Sequence, residues 1–275
     1  MRTHTLLLAF VAIAQAEKIQ KPGLSLPAEA AAKRQDAIDL FNSTYADYKK
    51  YAWGRDSLAP ISKAPVDDRN GWGATIVDAM STMKVMGLDD LFADAVNFSS
   101  KIDFNRSKTS DEVSLFETTI RYLGGLISAY ELGGKKDQAL IDRARELGDK
   151  LSHAWTLRKL SRQELVGYDH LIIASRANTA IAVAGTLVLE WSKLSDYTGN
   201  GTYRQLTEKS MRRIGTNKSP LPGLPAQGID PTTGKPVGDY ITWGGGSDSY
   251  FEYLIKYGRL TNNASPEWTS RWLTA

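Results

Sequence analysis

The chain has 275 residues, 42% of them apolar and 24% charged, which is ordinary globular composition and excludes disorder, collagen and long coiled coil. Its 34 Lys and Arg against 31 Asp and Glu leave a formal charge of +3, too little for a protein that binds nucleic acid through phosphate contacts, so no nucleic-acid partner is expected. With no cysteine and only three histidines (His4, His153, His170), disulfides, thiolate metal sites, cysteine nucleophiles and a His-rich metal site are excluded.

Arg2 is followed by a short apolar run from Leu6 to Ile13 and then by Ala14-Gln15-Ala16, the small-x-small pattern of a signal-peptidase site. Residues 1–16 are therefore expected to be a secretory signal peptide. Residues 17–275 would form the mature domain, located in the secretory pathway, either secreted or in the endoplasmic reticulum or Golgi lumen. Six Asn-x-Ser/Thr sequons agree with that route. Pro220 and Pro266 weaken those at Asn217 and Asn263, leaving Asn42, Asn97, Asn105 and Asn200 as candidate glycan acceptors.

The body reads as successive helices with almost no strand signal. The first spans Pro27 to about Lys50, rich in alanine, with Ala37, Leu40, Phe41, Tyr45 and Tyr48 at helical spacing. Gly71-Trp72-Gly73 opens a second that Gly87 ends, and Asp89 and Asp90 start a third. A fourth is expected from Asp111 to Leu132, a fifth from Lys136 to Trp155, a sixth from Ala174 to Leu194 and a seventh from Tyr203 to Ile214. A Pro/Gly-rich loop covers Pro220 to Lys235. Two more helices follow, from Ser247 to Lys256 and from Pro266 onward. Tyr240-Ile241-Thr242 is the one short strand-like piece. The final helix ends without a cap or polar tail, so a longer parent domain is expected.

Three places could carry chemistry. On the fourth helix, Glu117 and Arg121 are four residues apart and face each other, and Gly124-Gly125 is costly in a helix unless something approaches closely. Near the end, Asp248 follows the glycine loop Gly244-Gly245-Gly246 and is flanked by Trp243, Tyr250 and Tyr253. Carboxylates beside aromatics suit a sugar, which has hydroxyl edges and apolar faces. Ser249 and Glu252 there fit a capping box. Asp78 sits among Ile76, Val77, Ala79 and Met80, where burial without a partner would be expensive.

Three blocks in this order resemble glycoside hydrolase family 47, the class I α-1,2-mannosidases, most closely its secreted fungal members. They are Arg69–Ala79 (RNGWGATIVDA), Ser114–Tyr130 (SLFETTIRYLGGLISAY) and Ser247–Leu254 (SDSYFEYL). Tyr51–Asp56 (YAWGRD) and Gly185–Trp191 (GTLVLEW) agree more weakly. The resemblance covers about residues 30–275, roughly the N-terminal half of the family's domain. It implies an all-α fold, an (αα)7 barrel of paired helices of which this chain is the N-terminal portion. It implies calcium-dependent, inverting removal of terminal α-1,2-linked mannose from high-mannose N-glycans. A monomer is expected. By match, Glu117 stands at the catalytic acid, Asp248 at a second catalytic carboxylate, and Arg121, Asp78 and Glu252 at substrate-binding positions. The family's other catalytic Glu and its calcium-ligating Thr belong to blocks beyond residue 275, so the 275-residue chain alone is expected to be inactive. Gly246, where the endoplasmic-reticulum enzymes carry arginine, implies broader trimming. Ser81 stands where the family has Asp and Val183 where it has Glu. These departures keep open a non-catalytic, mannose-binding relative acting in glycoprotein quality control, and a scaffold without a sugar site.

Overall fold

A computed structural model describes residues 22–155, 179–219 and 221–275. The signal-peptide segment, His4, His170 and the first residues of the sixth expected helix lie outside the described residues.

The first helix, α1 (Ala30–Ala52), forms where alanine and straight-chain residues dominate. It buries Tyr45 and Tyr48 of the expected stripe, with Phe41 packed against the core, and adds Ile38 and Ala52, while Ala37 and Leu40 lie on the solvent side. A small hairpin follows, β1 (Ser57–Ala59) against β2 (Ala64–Val66), antiparallel with Ser57 opposite Val66. Then α2 (Ala74–Met86) lies between glycines in the left-handed region, Gly73 and Gly87, and α3 (Asp89–Ser99) returns along it.

The expected fourth helix begins at Leu115, not Asp111, because Ser114 caps it. It is one rod of three parts: α4 (Leu115–Thr118), a π-turn over Thr119–Leu123, and α5 (Gly124–Leu132). After it come α6 (Gln138–Leu151) and a 3₁₀ turn over Ser152–Trp155. The sixth expected helix is broken into α7 (Ile181–Gly185) and α8 (Val188–Thr198). At the break Thr186 turns its hydroxyl back onto the Ala182 carbonyl, a bond that competes with the helical ladder. The remaining helices are α9 (Thr202–Gly215), α10 (Asp248–Leu260) and α11 (Glu267–Thr274). Three two-residue strands, β3 (Thr179–Ala180), β4 (Gly228–Ile229) and β5 (Pro236–Val237), make a small antiparallel sheet in that order. Tyr240–Thr242 is not a strand.

The helices stack in two rows. α2, α4–α5, α8 and α10 pack side by side as a front row, and α3, α6, α9 and α11 cover them from behind as hairpin partners. Because a back-row helix returns the chain each time, the front helices run in the same direction. Contacts between their first turns, such as Trp191 of α8 on Thr119, agree with this. One apolar core binds α1 to α6 and reaches α8, around Trp72, Met80, Tyr122 and Trp191. A second joins α7–α11, around Tyr250, Phe251, Tyr257 and Trp268. The two front-row helices α2 and α5 touch where Gly125 faces Val77. A Cβ on Gly125 would sit 2.8 Å from the Val77 carbonyl oxygen, so the glycine pair expected to admit a close approach admits another helix.

Candidate active site

The site is built outward from Asp56, the last residue of the YAWGRD block. Asp56 is fully buried. Its Oδ2 accepts the backbone N–H of Arg69 (2.7 Å) and Gly71 (2.6 Å). Its Oδ1 accepts from the N–H of Gly73 (2.9 Å) and Ala74 (3.1 Å) and from the Tyr122 hydroxyl (2.8 Å). Five donors thus compensate its desolvation, and the last two amides belong to the N-terminus of α2, where a negative charge is favoured. Tyr122 also bonds the Arg69 carbonyl at 2.7 Å, so Arg69 is gripped at both its backbone N–H and C=O. Burial and the Asp56 charge together push the Tyr122 phenol far above its ordinary value.

Arg69 is thereby aimed at Glu117. Ser114 accepts the Glu117 amide proton at 3.2 Å, capping α4, which frees the Glu117 side chain to point across the front of the row. Glu117 Oε2 accepts from Arg121 Nε at 2.6 Å and from Arg69 Nε at 3.3 Å. Its Oε1 has no hydrogen-bond partner among the described residues. Arg121 Nη1 donates to Asp78 Oδ2 at 3.2 Å. Asp78 is therefore neither unpaired nor buried, as the apolar sequence around it had suggested; its carboxylate is 43% exposed. Partial desolvation raises the Asp78 pKa, Arg121 opposes that rise, and the Glu117 charge adds to it. The π-turn widens the rod here. Arg121 reaches the front while the next residue, Tyr122, reaches back to Asp56. Such insertions are common at functional sites.

Asp248 and Glu252 stand on another helix. Asp248 is the first residue of α10, exposed, where the helix N-terminus favours a carboxylate. Its carboxylate has no hydrogen-bond partner among the described residues. The capping box expected at Ser249 and Glu252 does not form: Ser247 occupies the cap, Ser249 is already inside the helix, and Glu252 pairs with Lys256 one turn on. Of the three aromatics expected beside Asp248, Tyr250 is buried in the core and Tyr253 is turned inward onto Glu190. Trp243 alone offers a free face, 48% exposed and stacked from behind on Phe251 with ring centroids 4.2 Å apart. The loop between is fixed by Gly246 at φ +92°, where a Cβ would collide with Gln227, whose amide bonds the Gly245 carbonyl at 2.8 Å.

The structure thus brings Glu117, Arg121, Asp78 and Arg69 into one network. Among the described residues, no hydrogen bond or ion pair joins that network to Asp248 or Glu252; α8 stands between. On α8, Glu190 presents a buried carboxyl whose pKa desolvation pushes up to about 7. Sequence reasoning did not single it out, although a Glu beside Trp191 on an apolar helix was a visible signal. Glu117, Asp248 and Glu190 lie in the first turns of front-row helices, Asp78, Arg121 and Glu252 in the turn that follows, and Arg69 in the loop before α2. Among the described residues, no cluster of three or more His, Asp or Glu could hold a metal ion.

The sequence profile of glycosyl hydrolase family 47 matches residues 40–275. The chain belongs to that family. It is 37% identical over 270 residues to the mannosyl-oligosaccharide alpha-1,2-mannosidase of Penicillium citrinum, covering 91% of this chain and 52% of that protein. It is 36% identical to a mannosyl-oligosaccharide alpha-1,2-mannosidase of Coccidioides posadasii, covering 98% of this chain and 55% of that protein. The structure superposes on the alpha-1,2-mannosidase from Trichoderma reesei with TM-score 0.79 at 30% identity, covering 88% of this chain and 53% of that one. The all-α fold of this family 47 chain is accordingly part of an (αα)7 barrel, its paired rows being the barrel's helical hairpins. The chain spans about half the length of the curated relatives it matches.

Proposed function

We propose that the protein is a mannosyl-oligosaccharide 1,2-α-mannosidase, with this chain contributing Glu117 and Asp248 to an inverting pair of carboxylates. The observation that carries the reading is the Glu117 network: a carboxylate held on one oxygen by two guanidiniums, the other oxygen without a hydrogen-bond partner among the described residues, in a family whose relatives bear that name. In an inverting glycosidase one carboxyl group protonates the departing oxygen and the other activates water on the opposite face of the ring, ~6.5–9.5 Å away. Glu117 takes the first role. Arg121 and Arg69 hold its Oε2, so that Oε1 faces substrate. Asp248, solvated and without a partner among the described residues, is suited to handle water. Arg121, Asp78 and Glu252 supply charged edges for sugar hydroxyls, and the open face of Trp243 suits the apolar side of a pyranose.

The substrate class is terminal α-1,2-linked mannose on high-mannose N-glycans. Calcium belongs to the proposal through family resemblance only. The described residues form no cage for it, so its ligands would come from the family's C-terminal blocks, and no step here runs through it. Residues 1–16 would act as the secretory leader. Asn42, Asn97, Asn105 and Asn200 are all exposed, as glycan acceptors require. No described helix is long and apolar enough to cross a membrane.

The test is a chimera joining this chain to the C-terminal half of the Penicillium citrinum relative. It should release mannose from a Man-α-1,2-Man disaccharide with inverted anomeric configuration, read by proton NMR. Glu117→Gln should lower kcat by roughly 10²–10⁴. Unchanged turnover in that variant would remove Glu117 from the mechanism. The 275-residue chain alone should release none.

A further inference from the structure

Glu190 lies between the two carboxylate-bearing helices and touches both. On one side its Cγ packs against Gly124 of α5, where an added Cβ would lie 3.4 Å from it. The neighbouring Trp191 Nε1 donates to Thr119 Oγ1 at 3.0 Å, so α8 is locked to the π-turn that follows Glu117. On the other side Tyr253 of α10 donates its hydroxyl to Glu190 Oε1 at 2.7 Å. Tyr253 lies little more than one turn beyond Asp248. Glu190 Oε2 is enclosed without a hydrogen-bond partner among the described residues, so the group carries a desolvation cost that an apolar residue of the same size would avoid. Nearby cations offset it only in part, Lys256 contributing some attraction. Lys193 is engaged by Glu131 at 2.7 Å, and Lys256 by Glu252. A costly buried acid with one directional partner is suited to fixing register, because a hydrogen bond specifies one arrangement where apolar packing tolerates several.

We infer that Glu190 is a positioning residue: through Tyr253 and Gly124 it fixes α10, and with it Asp248, against the rod that carries Glu117. The inference deepens the proposed function, since the spacing it sets matters only if those two carboxylates act on one bond. It assigns Glu190 no contact with substrate. Tyr253 follows as its necessary complement. The phenol is, among the described residues, the hydrogen-bond donor that reaches Glu190 from α10.

The chain has no cysteine, so spin labels can be placed cleanly at Leu132→Cys on α5 and Arg259→Cys on α10, both exposed. Electron–electron double resonance on the 275-residue chain then reads the distance between the two helices. Glu190→Leu and Tyr253→Phe should shift or broaden the distance distribution. Glu190→Gln keeps an acceptor for Tyr253 and should leave it as in the parent. Should Glu190→Leu fail to fold, Tyr253→Phe decides, because it retains the ring and removes only the hydroxyl. Parent-like distributions in the folded Leu and Phe variants would overturn the inference. In the chimera, Glu190→Leu should lower kcat by roughly 10²-fold with KM unchanged, and Glu190→Gln should restore it. A fall in KM-based affinity with kcat intact would assign Glu190 to substrate binding instead. If the parent chimera releases no mannose, the functional reading fails while the distance measurement still decides the role of Glu190.

Discussion

The surroundings of Glu117 and of Asp248 differ sharply. Glu117 is held by two arginines, one of them gripped through its backbone by buried Asp56 and Tyr122. Asp248 projects from the first turn of α10 with no hydrogen-bond partner among the described residues, behind a loop that Gly246 and Gln227 keep in shape. The first carboxylate is preorganised by charge and hydrogen bonds, the second only by where its helix starts. A group that must give up a proton in one defined direction gains from being fixed. A group that must engage water gains from staying solvated.

The comparison is sharpened most by removing the anchor on the Glu117 side. Asp56→Ala leaves four backbone amides and a phenol without their acceptor in a dry site. It should cost roughly 3–5 kcal/mol, read as a lowered denaturant midpoint at unchanged slope. A cost below ~1 kcal/mol would mean that the loop before α2 is held by other contacts.

A smaller effect is expected at the strut between the two regions. The Glu190 carboxyl is raised by burial from 4.5 to about 7, so between those values the folded chain holds a proton that the unfolded chain has released. This group therefore adds least stability at high pH: its contribution falls as pH rises from about 4.5 to about 7, and the penalty persists above. At ~1.4 kcal/mol per pKa unit, the stability of wild type relative to Glu190→Gln should fall by roughly 2–3 kcal/mol between about pH 5 and about pH 8. A difference independent of pH would mean that Glu190 is ionised throughout.

The smallest effect is expected at Asp248. Asp248→Asn removes only the interaction with the helix N-terminus and should change stability by less than ~0.5 kcal/mol, while abolishing turnover in the chimera. A large destabilisation would show that the carboxylate is structural after all.

Much of this was legible in the chain. Helix positions followed from apolar spacing, glycine stops and alanine-rich runs, because those signals act over a few residues. The Glu117–Arg121 pair followed from a separation of four on one helix face. Leu40 faced solvent, the helix over 174–194 broke at Thr186, the cap fell on Ser247 and not Ser249, and Asp78 was paired and exposed. For Asp78 a partner distant in sequence decided, and at Thr186 a local hydroxyl bond, between arrangements that periodicity leaves equal.

The amino-acid sequence by itself determined that this is a helical chain carrying the motifs of glycosyl hydrolase family 47, because residue type and spacing fix helices and motifs locally. Only the tertiary structure decided that Asp56 governs Arg69, that Arg69 joins Arg121 on Glu117, and that Glu190 stands between Glu117 and Asp248. Asp56 and Tyr122 are 66 positions apart, Glu190 and Tyr253 are 63 apart, and no periodicity carries information over such separations. Helices packed in a row bring these residues within hydrogen-bond distance, and burial gives each of those bonds its weight.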